Sequence, residues 1–262
     1  MNLNLKNKNA LVCGSTQGIG NAAATELAAM GANVTLVARN AERLEAAKAE
    51  LDTSQGQVHD FLCADFSNPE NLETVLTDYL KDGKAIHILI NNTGGPAGGP
   101  IAKASIAEFR SAFEMHLICN HILAQAVMEG MKLAGYGRII NVISTSVKQP
   151  LNNLGVSNTI RGAVANWAKT MANELGQHGI TVNNVLPGAT NTARLQSIIE
   201  NKAKKQSKSI EQVTKDMQGI VPAARFAEAT EVANAIAFLA SPAAAYINGV
   251  NLPVDGGRTK CL

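Results

Sequence analysis

The chain has 262 residues, of which 46% are hydrophobic and 17% charged, and this composition excludes a disordered or polyelectrolyte protein. Lys and Arg number 23 against 21 Asp and Glu, so the net charge of +2 provides no basic field for nucleic acid or an anionic membrane. The sequence contains no run of 18 apolar residues and no apolar signal-peptide segment, and we expect a cytoplasmic protein that does not span a membrane.

Short apolar runs alternate with amphipathic stretches along the chain. In chain order, the first half predicts a strand over 10–13, a helix over 21–30, a strand over 33–38, a helix over 41–51, a strand over 57–63, a helix over 69–80 and a strand over 86–90. The second half predicts one long helix over 105–131, a strand over 138–143, a helix over 158–175, a strand over 180–186, a helix over 228–239 and a strand over 249–254.

This alternation predicts the fold class. Strands that alternate with helices form parallel βαβ units, because a parallel crossover needs a helix to return the chain. The predicted strands are nearly continuous apolar runs, which is typical of strands that are covered on both faces. We therefore predict a single doubly wound, Rossmann-like α/β domain over residues 1–262, with about seven parallel strands and helices on both faces of the sheet.

The turn after the first predicted strand is rich in glycine. Gly14, Gly18 and Gly20 follow a G-x-x-x-G-x-G spacing. Glycines permit a tight turn and a close approach of the backbone, and the N-terminus of the following helix offers free N–H groups to an anion. Ser15 and Thr16 would add hydroxyl donors. The turn therefore predicts a site for the phosphates of a dinucleotide.

Several motifs resemble those of the short-chain dehydrogenase/reductase family and occur in that family's order. They are Gly14-x-x-x-Gly18-Ile-Gly20, Asp65, Asn91-Asn-Thr-Gly94, Pro187-Gly-x-x-x-Thr192 and Val254-Asp-Gly-Gly257. The resemblance covers essentially the whole chain and is closest to 3-oxoacyl-carrier-protein reductases and to sugar or alcohol dehydrogenases. It implies an enzyme that transfers a hydride between a nicotinamide cofactor and a carbonyl or alcohol.

The resemblance also implies which residues bind the dinucleotide. They are Gly14, Ser15, Thr16, Gln17, Gly18, Ile19, Gly20, Arg39, Asn40, Asp65, Phe66, Asn92, Thr93, Gly94, Arg161, Pro187, Gly188, Thr190 and Thr192. Arg39 follows the second strand, where an acid would favour NAD and an arginine accommodates the 2′-phosphate of NADP. The family often has a second basic residue just before Gly18, and that position is Gln17 here. We expect NADP(H) as the cofactor and NAD as the weaker ligand.

The catalytic tetrad that the resemblance implies is altered at three of its four positions. The family uses Asn, Ser, Tyr and Lys. Here the serine is Ser144, and the other three positions carry His116, Ser157 and Arg161. A serine hydroxyl is a far weaker acid than a tyrosine, whereas Arg161 keeps the positive charge and can stabilise an alkoxide. His116 titrates near neutrality at its usual pKa and would feed a proton through water. These four residues are the candidate catalytic residues.

Three interpretations remain open from the sequence. The leading one is an NADP-dependent oxidoreductase with an unusual proton donor, which acts on a small-molecule carbonyl or a carrier-linked acyl group. The second is a nucleotide-binding sensor or scaffold that has lost hydride chemistry. The third, a lyase like the family's halohydrin dehalogenases, fits less well because the dinucleotide turn is intact. No metal is expected, because Cys13, Cys63, Cys119 and Cys261 are far apart and are interpreted as small buried residues plus one at the tail.

The resemblance also predicts assembly and a lid. It places the helices over 105–131 and 158–175 at a dimer interface, where Trp167 and Met171 would supply apolar area. It places the segment over 254–257 at a second interface, so we expect a homo-oligomer, and a tetramer in particular. The polar, lysine-rich segment over about 189–220 would be the substrate lid.

Overall fold

The computed structural model describes residues 1–261, and its strands form one parallel sheet in the order β3-β2-β1-β4-β5-β6-β7. The strands are β1 (Asn9–Cys13), β2 (Asn33–Ala38), β3 (Asp60–Cys63), β4 (Ile88–Asn91), β5 (Gly137–Val142), β6 (Ile180–Pro187) and β7 (Asn251–Val254). Most bounds agree with the prediction to within about two residues. The exception is β3, which begins at Asp60: just before it, side chains replace the backbone ladder to β2, since the N–H of Val58 donates to Asn33 Oδ1 over 2.8 Å and that of Val34 to His59 Nδ1 over 3.1 Å.

Helices cover both faces of this sheet. They are α1 (Gly18–Ala29), α2 (Ala41–Ala49), α3 (Pro69–Leu80), α4 (Ile106–Phe113), α5 (Cys119–Ala134), α6 (Gly155–Leu175), α7 (Ala193–Gln206), α8 (Ile210–Gly219) and α9 (Ala229–Ala240). Side chains alternate along a strand, so Ala10 and Val12 of β1 pack with α1, α2 and α9, whereas Leu11 and Cys13 pack with α3, α5 and α6. This arrangement confirms the predicted doubly wound α/β fold.

The predicted long helix over 105–131 changes its winding in the middle. The chain is helical from Ile106 to Ala134, but Glu114–Ile118 forms a π-helical turn between α4 and α5. A single such turn leaves the apolar periodicity of the flanking helices intact, so the sequence did not reveal it. π-helical turns are frequent at functional sites, and this one carries His116.

The segment over 189–220 contains two helices that the sequence did not predict. Leu195 and Ile199 on α7 pack with Val213 on α8 and with Phe226 in a small apolar cluster of their own. Leu195, Ile199 and Ala203 recur every four residues, which is a helical period that the surrounding lysines obscured. No helix within residues 1–261 is long and apolar enough to cross a membrane.

A row of asparagine side chains crosses four neighbouring strands, from the last residue of β4 to the first residue of β7. Asn91 donates to Asn141 over 2.8 Å, Asn141 donates to Asn184 over 2.9 Å, and Asn184 donates to Asn251 over 2.8 Å. The strand register sets these side chains directly opposite one another. These hydrogen bonds hold β4, β5, β6 and β7 in register, and so support the carboxyl edge of the sheet, where ligands bind in such folds.

Two sequence expectations about single residues are wrong. Met171 is buried in the core of its own protomer, so it cannot supply area to an interface, and Trp167 is half-buried with its indole N–H directed at His121. Cys63 is exposed, although the sequence placed it among the buried cysteines. The end of β3 lies beside solvent because β3 is an edge strand, and that position was not visible in the sequence.

Candidate active site

The switch point of the sheet lies between β1 and β4. These strands are neighbours, and the sequence-adjacent strands lie to either side of them. The turn over 14–20 after β1 and the turn over 92–94 after β4 are therefore adjacent at the carboxyl edge. Ligands bind in the crevice at such a point, which is where the sequence placed the dinucleotide.

The glycine turn over 14–20 leaves no room for a side chain at Gly14 or Gly20. Gly14 has a φ of +60°, and a Cβ added there would lie 2.5 Å from the carbonyl oxygen of Asn92. A Cβ on Gly20 would lie 2.2 Å from the carbonyl oxygen of Gly14. The side-chain amide of Asn92 donates to the carbonyls of Cys13 and Gly14 over 3.2 and 3.3 Å, so Asn92 ties the two turns together. The turn is thus held at the close packing that only glycine permits.

The first turn of α1 is open to an anion. Gln17 precedes α1 in an extended conformation, and no described side chain caps the helix. The free N–H groups of this turn therefore face the crevice beside Thr16, Gln17 and Ile19. The methyl group of Thr192 would lie 3.2 Å from a Cβ on Gly18, which brings the segment after β6 against the same turn. These features fit the diphosphate of a dinucleotide.

Some predicted cofactor residues are committed to other contacts. Ser15 is buried with its hydroxyl 3.4 Å from the carbonyl of Val37, so this hydroxyl points into the sheet. The side chain of Phe66 lies in the core, and its carbonyl accepts from Cys119. Asn40 caps α2 by accepting from the backbone N–H of residue 43. These residues can still present backbone groups to a ligand.

The end of the crevice after β2 and β3 carries one exposed arginine and one acid. Arg39 is exposed, and Asp65 is half-buried with its carboxylate accepting from the backbone N–H of Ser67 over 2.9 Å. Hydrogen bonds from Ser67, together with the charge of Arg39, hold the pKa of Asp65 below its usual range. Arg39 therefore lies near enough to interact electrostatically with Asp65, and its exposed guanidinium remains free to bind a phosphate.

The segment after β6 completes the crevice. Pro187 ends β6, and a Cβ on Gly188 would lie 2.7 Å from the Cα of Asp255, so this turn packs closely on the end of β7. Thr190 is buried and Thr192 caps α7 by accepting from the backbone N–H of Leu195. The predicted motif is thus held rigidly over the crevice, whereas Gly94 opposite it is exposed.

The serine and arginine positions of the predicted tetrad come together beside the end of β5. Ser144 follows β5 and accepts from the backbone N–H of Ser146 over 3.1 Å. Ser157 and Arg161 lie one turn apart on α6, and Arg161 is only 8% exposed. One guanidinium nitrogen of Arg161 donates to the carbonyl of Val142 over 2.9 Å, which anchors the cation at the strand end. Burial and the charge of Arg194 lower the pKa of Arg161 to about 10, so it stays protonated at pH 7.

His116 lies in the same pocket but does not titrate as the sequence suggested. Its Nδ1 is 2.8 Å from the hydroxyl of Thr93, and its Nε2 is buried without a partner among the described residues. Burial, together with the charges of Arg161 and Arg194, lowers the pKa of His116 to about 3. The imidazole is therefore neutral at pH 7. The expectation of a histidine that titrates near neutrality is wrong, because the sequence could not show the burial or the second arginine.

The depressed pKa of His116 predicts a loss of stability in mild acid. The unfolded side chain takes up a proton near pH 6.5, whereas the folded one does so only near pH 3. The unfolded state therefore binds more protons between these values, and stability falls as pH falls. Between pH 7 and pH 5, His116 should cost wild type about 2 kcal/mol of its free energy of unfolding. His116→Asn lacks this group, so its free energy of unfolding should fall by that much less over the same range.

Urea denaturation at the two pH values measures this difference. The half-buried His87, whose pKa burial also lowers, contributes equally to both proteins. His178→Asn at an exposed position is the matched control and should follow wild type. Identical pH dependence in wild type and His116→Asn would contradict the assignment of a buried, neutral imidazole.

Sequence reasoning missed two residues of this pocket. Gly95 lies between Arg161 and Arg194, since a Cβ on Gly95 would stand 3.5 and 3.2 Å from their Nη2 atoms. Arg194 also donates to the carbonyl of Pro96 over 2.7 Å and so joins α7 to the loop after β4. The signals in the sequence were the glycine-rich segment over 93–100, which contains Gly95, and the position of Arg194 two residues after the Thr192 motif. Within residues 1–261, no group of His, Cys, Asp and Glu side chains is arranged to hold a metal ion.

Comparison with known proteins agrees with this architecture. Residues 14–259 match a family model described as enoyl-(acyl carrier protein) reductase. The chain belongs to the short-chain dehydrogenase/reductase family and is an oxidoreductase of that class. Among curated relatives, the 3-oxoacyl-[acyl-carrier-protein] reductase FabG of Vibrio cholerae is 34% identical over 258 residues, covering 97% of this chain and 98% of the relative.

Two further proteins resemble this chain over nearly its whole length. The NADPH-dependent reductase BacG of Bacillus subtilis is 28% identical, with 98% of this chain and 100% of the relative covered. The crystal structure of L-sorbose reductase from Gluconobacter frateurii with NADPH and L-sorbose superimposes with a TM-score of 0.92 at 30% identity and covers 100% of both chains. The fold and the family are thus the ones that the sequence motifs predicted.

Proposed function

We propose that this protein is an NADP(H)-dependent reductase that transfers a hydride between the nicotinamide and a carbonyl or alcohol, as 3-oxoacyl reductases do. The observation that carries the proposal is the glycine turn, packed closely on Asn92 at the open first turn of α1, together with the buried, protonated Arg161 on α6. Relatives described as NADPH-dependent, and a similar structure that contains NADPH, support the choice of cofactor.

The cofactor would be held along the carboxyl edge of the sheet. The open first turn of α1 fits its diphosphate, Arg39 its 2′-phosphate, Asp65 its adenine, and Arg161 the hydroxyls of its nicotinamide ribose. When bound, the reduced nicotinamide supplies the hydride. The residues after β6 would hold the carboxamide side, because Thr190 and Thr192 are fixed by bonds to Gly188 and Thr190 carbonyls.

Within this proposal the chain's own residues stabilise negative charge on the substrate oxygen. Ser144 orients that oxygen by a hydrogen bond, and Arg161 opposes the developing charge from a buried position where electrostatic effects are strong. Ser157 lies half-exposed one turn before Arg161 and passes a proton from water. Neutral His116 orients that water through its buried Nε2 and does not act as a charged acid.

Turnover with a panel of carbonyl compounds tests the proposed function. We expect purified protein to bind NADPH, seen as a change in NADPH fluorescence, and to oxidise it slowly with at least one ketone or 3-oxoacyl thioester. Tight NADPH binding without oxidation by any carbonyl would instead support the sensor or scaffold interpretation. Two observations favour this second candidate: His116 is neutral at pH 7, and position 157 carries no tyrosine, so neither residue is a strong proton donor.

Exchange of Arg39 should reverse the cofactor preference. Arg39 is exposed beside the crevice and is a bidentate donor suited to the 2′-phosphate. We expect NADPH to bind at least tenfold more tightly than NADH, and Arg39→Asp to weaken NADPH by roughly 10–100-fold while leaving NADH unchanged or tighter. Fluorescence titration of both cofactors into both proteins measures this. Equal affinities in wild type would refute the role of Arg39.

We propose a cytoplasmic homotetramer, which is the assembly that the family resemblance implies. Phe113 at the end of α4 is 41% exposed, and β7 is a half-exposed edge strand of the sheet. An exposed aromatic side chain and an unpaired strand edge both offer surface that a partner subunit can cover. Light scattering should give four times the protomer mass at micromolar concentration. A monomer at that concentration would contradict this.

The helices α7 and α8 form the proposed substrate lid. They pack on an apolar cluster of their own, and Arg194 joins them to the loop after β4 through Pro96. Because the two helices pack mainly on each other and on this cluster, the lid would move as a unit over the crevice.

A further inference from the structure

Two guanidinium groups converge on one point of the pocket. The Cβ position of Gly95 lies 3.5 Å from Nη2 of Arg161 and 3.2 Å from Nη2 of Arg194. A side chain at residue 95 would fill the space between them, so glycine keeps this space open. Arg161 belongs to α6 and Arg194 to α7, which means that two independent elements deliver the charges.

No acid neutralises these two charges. In the part of the chain that the structure describes, the only arginine with a carboxylate partner is Arg225, which pairs with Glu231. Arg161 donates to the carbonyl of Val142 and Arg194 to that of Pro96, and each guanidinium has five N–H groups. Arg161 is buried, whereas Arg194 reaches the same space from the exposed side of α7. A buried cation without a counter-charge is costly, so proteins generally pair it.

The third wall of the pocket is neutral. His116 is uncharged at pH 7 and shares a hydrogen bond with the hydroxyl of Thr93 through Nδ1, and its buried Nε2 has no partner within residues 1–261. The groups that face this space from α4–α5, α6 and α7 therefore carry two positive charges and no negative one. A small anion with oxygen acceptors would satisfy both guanidinium groups.

We propose that Arg161 and Arg194 bind a carboxylate of the substrate, which is then an oxoacid with its carboxylate close to the reacting carbonyl. This inference rests on the proposed function and names its substrate class. Arg161 also faces the developing alkoxide. Its guanidinium can bind the alkoxide oxygen and a carboxylate oxygen together only when no more than two carbons lie between these oxygens. A 2-oxo acid places them in that relation, whereas a 5-oxo acid does not.

Substrate pairs that differ only in charge test the proposal. The probes are 2-oxohexanoate, 4-oxohexanoate, 5-oxohexanoate and the methyl ester of each. For wild type we expect kcat/KM to be at least tenfold higher for 2-oxohexanoate than for its methyl ester, and the acid-to-ester ratio to be close to one for the 4-oxo and 5-oxo pairs. Esters as good as acids throughout would overturn the proposal.

Variants of Arg194 locate the anion. Arg194→Gln should bring the acid-to-ester ratio for the 2-oxo pair close to one, mainly through KM, and Arg194→Lys should restore part of it. Lys205→Gln removes an exposed charge further along α7 and should leave the ratio unchanged. A ratio that survives in Arg194→Gln would place the carboxylate elsewhere and overturn the proposal.

Cofactor affinity separates the substrate carboxylate from the cofactor diphosphate. Fluorescence titration without substrate should give NADPH dissociation constants within twofold for wild type and Arg194→Gln. A tenfold weakening would show that Arg194 binds the diphosphate, and the proposal would fall.

Binding also separates this proposal from the proposed function. Calorimetric titration of 2-oxohexanoate into the NADP⁺ complex needs no turnover. If no carbonyl is reduced but this acid binds and Arg194→Gln loses it, the anion site stands and the reductase assignment fails. If the acid neither binds nor reacts, the anion site is refuted whatever other carbonyls are reduced.

Discussion

Arg161→Ala is expected to abolish turnover and to weaken NADPH binding. Arg161 lies in the interior, and its guanidinium is anchored on the carbonyl of Val142 at the end of β5. Removing one preorganised group that stabilises an oxyanion typically costs 10²–10³ in kcat, and loss of charged hydrogen bonds to ribose would weaken NADPH by about tenfold or more. Both effects should appear in the same variant.

Steady-state kinetics with the best carbonyl and fluorescence titration of NADPH measure the two effects. Arg161→Met keeps much of the buried volume and serves as the size-matched control, so a fall in both variants shows that charge matters rather than packing. Thermal unfolding of each variant shows whether it is folded. Arg161→Lys should not restore the rate, because no tyrosine stands at position 157 for a lysine to activate.

The same variant tests where the proton comes from. If Ser157→Ala and Arg161→Ala both leave turnover intact, the proton donor lies elsewhere, and His116 is the first residue to replace. Neutral His116 could then only relay a proton between water and the hydroxyl of Thr93, since its pKa of about 3 keeps it uncharged. His116→Asn would distinguish this route by a fall in kcat without a change in NADPH affinity.

The sequence was sufficient for the parts of the molecule that depend on local pattern. The strands are continuous apolar runs, and the glycine spacing of 14, 18 and 20 identified the turn whose close packing on Asn92 is visible only in the structure. Pattern and position in the fold together therefore located the cofactor crevice. Local patterns of this kind survive without knowledge of tertiary contacts.

The chemistry of the pocket could not be predicted in the same way. The pKa of His116 depends on burial and on two arginines, one of them 78 residues away in the sequence at Arg194. The position of Gly95 between those arginines follows from how α7 packs on the loop after β4. Such properties arise from contacts between distant segments, which no periodicity or motif encodes.

The double exchange Ser157→Tyr with Arg161→Lys is expected to raise the rate of reduction of ordinary ketones. The two positions lie one turn apart on α6, the spacing that a phenol and its activating ammonium require. A phenol titrates near 10 and is shifted towards neutrality by an adjacent cation, so it becomes a positioned general acid. A general acid of this kind typically contributes 10²–10⁴ in rate.

Comparison of four proteins isolates this effect: wild type, each single variant and the double variant. Ser157→Tyr alone should gain less, because Arg161 remains hydrogen-bonded to Val142 and faces Arg194 rather than the new ring. Kinetics with a neutral ketone such as 2-hexanone give the rate, and its pH dependence should acquire a limb from the new phenol. A double variant no faster than Arg161→Lys, while folded and able to bind NADPH, would show that the pocket cannot seat the ring. Because Arg161 also serves the proposed carboxylate, the double variant should gain on ketones while it loses preference for oxoacids over their esters.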